Sequence, residues 1–207
     1  LDLPCGNMLF LHLLGKLYPE AILKGVDIKE PDQQEARAEY IKMDLTKELL
    51  LAPEEKFDLI TSISGIMMFG NTLNFITNCA KRLSPGGTFI ITNDNSATVL
   101  DKIYFFVFGR HRIFKPVYDD TETLTQNIPI QELCRLLRIN RLEIEAIKFT
   151  SFYKRDIIFF PIAILIFPLQ RLFLRRFKTQ KLSHLVDLMY PFEHYFSKHY
   201  IIVTKKL

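Results

Sequence analysis

Tryptophan is absent from these 207 residues, and cysteine and glycine are scarce, at three and eight. Each shortage removes a class of protein. Cys5, Cys79 and Cys134 are too few and too widely spaced for a disulfide framework or a Cys-x-x-Cys pair, so free thiols in a reducing, cytoplasmic setting are expected. No G-x-G-x-x-G run occurs, and a dinucleotide pyrophosphate needs those glycines to bring backbone N–H groups onto phosphate. His184, His194 and His199 share no metal-ligand spacing, so no metal is expected. Acid is scarce in one region only. From Lys154 to the end ten Lys and Arg face three acids, whereas the chain before it holds 17 against 20. A local excess of that kind suits a local anionic partner, and no nucleic acid is expected.

What is present is apolar sequence in two rhythms. With 48% apolar residues the chain can bury a full core, and one domain over 1–207 is expected. It opens inside an apolar run, residues 1–3, so the domain is expected to be N-terminally truncated. The stretch "NMLFLHLLGKLYPEA" has helical spacing, as do "LNFITNCAKRL" and "IPIQELCRLLRIN". "AILKGVDI", "AEYIKMDL", "KFDLITSIS", "TFIITND", "RLEIEAIKF" and "KHYIIVTKKL" read as strands, and "SPGG" as turn chemistry. Strands alternating with helices predict an α/β protein with a parallel sheet. Residues 99–125 and 154–196 break the alternation and are expected to cover the site.

Ligands of such a sheet bind beyond the carboxyl ends of its strands. Those positions hold Asp2 before the Pro4-Cys5-Gly6-Asn7 turn, then Asp27, Asp44, Ser62 with Ser64, and Asn93-Asp94-Asn95. Asp27 closes the second strand of a helix-plus-strand unit, where an acid can accept from ribose hydroxyls. An isolated Asp there more often caps a helix or opens a turn, but acids at three successive strand ends favour a nucleoside. Asp2, ahead of the turn, would repel pyrophosphate and attract a cation. A nucleoside cofactor with a positive group and no phosphates fits both.

"LDLPCGNM", "GVDIKE", "KMDLTK", "FDLITSISGIMMF" and "LSPGGTFIIT" resemble, in order and spacing, the successive motifs of the class I S-adenosylmethionine-dependent methyltransferases. The resemblance implies a doubly wound, mostly parallel seven-stranded sheet, Rossmann-like, with an antiparallel last strand, and S-adenosyl-L-methionine as cofactor. It further implies that Asp2, Pro4, Cys5 and Gly6 hold the methionine part, Asp27 the ribose hydroxyls, and Asp44 the adenine amine. Ile28 and Leu45 would pack on the adenine, and Ser62 and Ser64 would line the floor near the sulfonium. Two positions depart from the family's acid-x-Gly-x-Gly-x-Gly turn: Pro4 replaces the first glycine and Met8 the third. Met67-Met68, where many relatives carry an acid-His pair, supplies no base.

For a hydroxyl acceptor a base is needed, and the candidates are Asp94 and His111. The expected activity is O-methylation of a small or lipophilic acceptor, lipid-linked or from a glycan pathway; the alternative is S-adenosylmethionine binding without catalysis. "IIFFPIAILIFPL", residues 157–169, is uncharged but shorter than the roughly 20 residues that span a bilayer, and Pro161 and Pro168 are expected to interrupt it. Lys154, Arg155, Arg171, Arg175, Arg176, Lys178 and Lys181 flank it. Two readings stand side by side: a buried lid, or a segment over 154–181 lying peripherally on an anionic membrane surface at its inner face.

Overall fold

The computed structural model describes residues 1–32, 37–47, 51–52, 54–120, 122, 125–179 and 182–207. Lys181 of the basic cluster lies outside the described residues. Six strands are assigned among them: β1 (Leu23–Asp27), β2 (Ala38–Lys42), β3 (Phe57–Ser62), β4 (Leu83–Asp94), β5 (Leu142–Phe152) and β6 (Ser197–Lys206). Pairs β1–β2 and β3–β4 are parallel, and β6 runs antiparallel between β4 and β5. Residues 1–3 join the two halves, because Asp2 bridges Gly25 on one side and Thr61 on the other. The backbone bonds Asp2 N–H to Lys24 O and Leu3 N–H to Thr61 O, each 2.9 Å, hold it there. That segment takes the place of the seventh strand, as an isolated bridge.

Strand alternation sends side chains to both faces. On β1, Leu23 joins a cluster with Cys5, Met8 and Leu11 of α1 (Leu9–Leu17), while Val26 enters the main core. That core collects Phe75, Ile76 and Cys79 from α2 (Thr72–Arg82) and Leu133, Cys134 and Leu137 from α4 (Ile130–Ile139). Helix α2 starts at Asn71, whose side chain accepts from Asn74 N–H at 3.1 Å. The Ser-Pro-Gly-Gly residues fall between two registers of β3 against β4, Phe57 opposite Leu83 and Leu59 opposite Thr88, so the turn is looped out of a strand that resumes.

The two covering segments are helical. Helix α3 (Val99–Phe108) is capped by Thr98, which accepts from Asp101 N–H, and ends at Gly109 with φ 67°. A 3₁₀ turn (Lys154–Phe159) leads into α5 (Phe160–Leu174), followed by α6 (Ser183–Met189). The prolines do not interrupt this run: Pro161 sits in the first turn, where its missing N–H is no loss, and Pro168 is carried inside the helix. Lys154–Phe177 thereby reaches 24 residues, long and apolar enough to cross a membrane by length and composition, with only 11% of its most apolar window buried. Ala163 is the one residue of α5 classed as buried. The thirteen-residue run read from sequence is therefore part of a longer helical stretch, and it is not a buried lid.

A buried ion network ties the covers together. Arg112 donates to Asp156 Oδ2 at 2.7 Å and its backbone N–H to Asp101 Oδ1 at 3.1 Å, with both carboxylates shut off from solvent. Tyr195 adds a core of its own with Val99, Ala163, Ile166 and Phe167.

Candidate active site

The cofactor side is built by the turn after residues 1–3. Asp2 is 2% exposed and its Oδ1 accepts from Thr61 Oγ–H at 2.6 Å. Burial pushes this carboxyl up to about 6, against the lowering effect of the Thr61 bond. Cys5 lies under the turn, and burial pushes its thiol up to about 12, so it acts as packing and not as a nucleophile. Gly6, with φ 50°, has open space where a side chain would stand, and its N–H donates to Asp27 Oδ2 at 2.8 Å. Asp27 Oδ1 accepts from Lys29 N–H at 3.1 Å. Each Asp27 oxygen keeps a lone pair for a further donor.

Met8, which replaces the third glycine of the turn, keeps its side chain out of the turn's open face. It takes φ 59°, the left-handed conformation that glycine adopts freely, and its side chain, 1% exposed, turns into the cluster with Cys5, Leu11 and Leu23. The position wants glycine for its backbone angle, and the buried thioether offsets part of that strain. Pro4 stacks against Gly65 so closely that a Cβ there would lie 2.1 Å from the ring.

Ile28 is 57% exposed, a free apolar face beside Asp27. Asp44 Oδ1 accepts from Thr46 N–H at 3.0 Å and from its hydroxyl at 2.6 Å, bonds that hold its carboxyl below the usual range. Leu45 packs into the main core. Ser62 is buried and its Oγ has no partner, while Ser64, with φ 56°, is exposed and donates its N–H to Thr92 Oγ at 2.8 Å.

Asp94 and His111, far apart in sequence, line one cavity of about 330 Å³ between the sheet and its covers. Asp94 pairs with His199, Nδ1 to Oδ1 at 2.7 Å, because the β4–β6 register sets the two residues opposite each other. Sequence reading missed His199, although the strand "KHYIIV" carried it. Asn93 and Asn95 are structural: Asn93 Nδ2 donates to Ile128 O and Tyr200 Oη, Asn95 Nδ2 to His194 O and Ser197 O. Met67 is buried and Met68 is exposed. A larger cavity, about 980 Å³, lies among Leu17, Tyr18, Lys24 and Phe57 at the strands' amino ends, away from these groups.

The fold is that of an α/β protein, and the acid-bearing turn at its strand ends would suit a phosphate-free nucleoside. Residues 1–91 match the family model described as "Methyltransferase domain". The ubiquinone biosynthesis O-methyltransferase of Coxiella burnetii is 27% identical over 175 residues, 76% of this chain and 72% of that protein. Among solved structures, an S-adenosylmethionine-dependent methyltransferase from Methanosarcina mazei aligns with a TM-score of 0.59 at 15% identity, covering 100% of this chain and 91% of its own. The magnesium protoporphyrin IX methyltransferase of Synechocystis, solved with S-adenosylhomocysteine, aligns at 0.57 and 13% identity, covering 100% and 73%. The chain has the fold of the S-adenosylmethionine-dependent methyltransferases and its first 91 residues match a methyltransferase domain; it is a methyltransferase with S-adenosyl-L-methionine as cofactor.

The residues fit that cofactor. Open space over Gly6 and a half-solvated Asp27 with spare acceptor capacity would suit a ribose and an aminoacyl group, whereas the Ser62 hydroxyl is shut away from the surface. Asp2 would hold the positive methionine end, where pairing with a cation would reverse the effect of its burial.

Proposed function

We propose that this enzyme methylates a hydroxyl oxygen of a lipophilic acceptor that it meets at an anionic membrane surface. The observation that carries the reading is the outer face of the covers. On α3, Phe105, Phe106, Val107 and Phe108 are exposed, Phe106 at 90%; on α5 and the turn before it so are Ile158, Leu165, Leu169 and Leu172, Leu165 at 71%. Large apolar faces left to water are rare unless something apolar covers them. Arg155, Arg175 and Arg176 are exposed beside this face, while Arg171 and Lys178 are engaged by Asp187, each at 2.7 Å. The O-methyltransferase named for the Coxiella relative supports oxygen as the acceptor atom.

Bound S-adenosylmethionine would supply an electrophilic methyl group on a sulfonium. The chain's own part is to hold the acceptor oxygen in line and to take its proton. Asp94, which lines the cavity, is the group placed to receive that proton, and His199, outside the lining, holds its carboxylate in place. His111, its Nδ1 buried without a partner and its ring stacked on Phe105 at 5.3 Å, shapes the entrance from the apolar side.

The test is co-sedimentation with vesicles. The protein should pellet with anionic vesicles, less with neutral ones, and release as salt rises. Changing Arg155, Arg175 and Arg176 together to Gln should weaken pelleting and spare cofactor binding. A wild type that ignores anionic vesicles at low salt ends the membrane part of the proposal.

A further inference from the structure

The cavity that Asp94 lines has a second polar pole, and that pole has no part in the proton transfer just assigned. His194 is 2% exposed, and its Nδ1 lies 2.6 Å from Pro191 O. A carbonyl can only accept, so Nδ1 carries the proton and Nε2 presents a bare lone pair. No partner reaches Nε2. Burial and the nearby Lys102 charge hold this imidazole down to about 4, so it stays neutral and keeps that lone pair at neutral pH. Lys102, on α3, lines the same cavity. Its Nζ donates to Ala97 O at 2.6 Å and sits 4.3 Å from the Tyr195 ring centre. Burial brings the amine down to about 8, which leaves it mostly cationic at neutral pH. Among the described residues no carboxylate lies within ion-pairing distance of it. The carboxylate that shares the cavity, Asp94, is engaged by His199.

A buried cation without a counter-ion and a buried acceptor without a donor each cost free energy unless a ligand satisfies them. The walls between them are apolar and aromatic, with Ile128, Pro129, Phe149, Met189 and Tyr190. A volume of about 330 Å³ is at the small end for a ligand site, enough for one substituted ring. We propose that the cavity is the head-group subsite of the acceptor, taking an aromatic ring that offers an anionic oxygen to Lys102 and an O–H donor to His194 Nε2. A hydroxylated aromatic acid has both groups. The inference deepens the acceptor reading above and rests on it for the word acceptor; the binding itself does not.

The probes are the three hydroxybenzoate isomers, with benzoate lacking the donor and phenol lacking the anion. They are titrated into the full chain saturated with S-adenosylhomocysteine, by calorimetry and by the imidazole ¹⁵N signals. At least one isomer should bind ten times more tightly than benzoate or phenol, and its binding should shift the His194 Nε2 resonance. Lys102→Met should abolish the advantage over phenol, and His194→Phe the advantage over benzoate, with S-adenosylhomocysteine affinity kept. If no isomer exceeds both partial probes, or if the His194 resonance does not move in the wild type, the subsite is wrong. Because the wild-type resonance needs no variant, a misfolded His194→Phe does not protect the proposal. Probe binding without any methyl transfer to hydroxylated acceptors would sink the acceptor reading instead, so the two failures are distinguishable.

Discussion

In the sheet, Val26, Ile60, Phe89 and Ile91 are shut away from water and the carboxylates stand at strand ends; in the covers the arrangement is turned round, with Phe106 and Leu165 outside and Asp101, Asp156 and Arg112 inside. Both regions are made from the same residue types, so the difference lies in what each faces. The sheet solves the ordinary problem of hiding apolar surface from water. The covers bury charge beside a small apolar core and leave much hydrocarbon outside, the arrangement on which the proposed membrane contact rests. Their internal charges also serve as struts, since Arg112 links the loop after α3 to the turn before α5 across 44 residues.

Removing that strut should give the largest effect. Arg112→Met leaves the Asp101 and Asp156 carboxylates buried without their guanidinium, a change that costs about 3–5 kcal/mol where a buried pair loses one partner. Denaturant unfolding should show the loss, and S-adenosylhomocysteine affinity of the folded fraction should hold, because Asp27 and Gly6 lie in the other region. A loss under about 1 kcal/mol would mean the covers do not depend on their buried charges.

The converse experiment leaves the covers alone. Asp27→Ala should weaken S-adenosylmethionine binding by about 1.5–3 kcal/mol, the scale of hydrogen bonds to a charged group. Vesicle binding should stay at the wild-type level. Unchanged cofactor affinity in a folded variant would remove Asp27 from the ribose.

The smallest effect is a pH dependence. Asp2 has its pKa raised to about 6 in the free protein, and holding a cationic methionine end requires the carboxylate. Above pH 6 the carboxylate is already formed and affinity should be flat. Below it a proton must leave on binding, so affinity should fall by up to about 1.4 kcal/mol per pH unit until the cofactor-bound pKa is reached. Calorimetry between pH 4.5 and 7.5 checks this, and Asp2→Asn should flatten the curve. A wild-type profile already flat through pH 5 would place the methionine end elsewhere.

Much of this was readable beforehand in the sheet and little of it in the covers. The strand stretches fall on β1 to β6 because β-branched alternation reports a local preference that the sheet then uses. The helix through Pro168 was not readable: proline predicts a break, and only the packing of Ile166 and Phe167 against Phe192 and Tyr195 carries the helix past it. Met8 shows the same limit at one residue. Its replacement of a glycine was visible, but whether the side chain turned toward cofactor or core depended on a φ of 59°.

The sequence by itself determined the alternation of strands and helices, the acids at the strand ends and the charge imbalance after Lys154, because each depends on residues near one another along the chain. Tertiary structure decided which polar groups meet. Asp94 and His199 are 105 residues apart and touch through the register of β4 on β6. Lys102 and His194 share a cavity because the two covering segments close over the same end of the sheet. Contacts of that range depend on strand register and on helices packed against one another, and a one-residue slip of β6 would carry His199 to the opposite face of the sheet, away from Asp94.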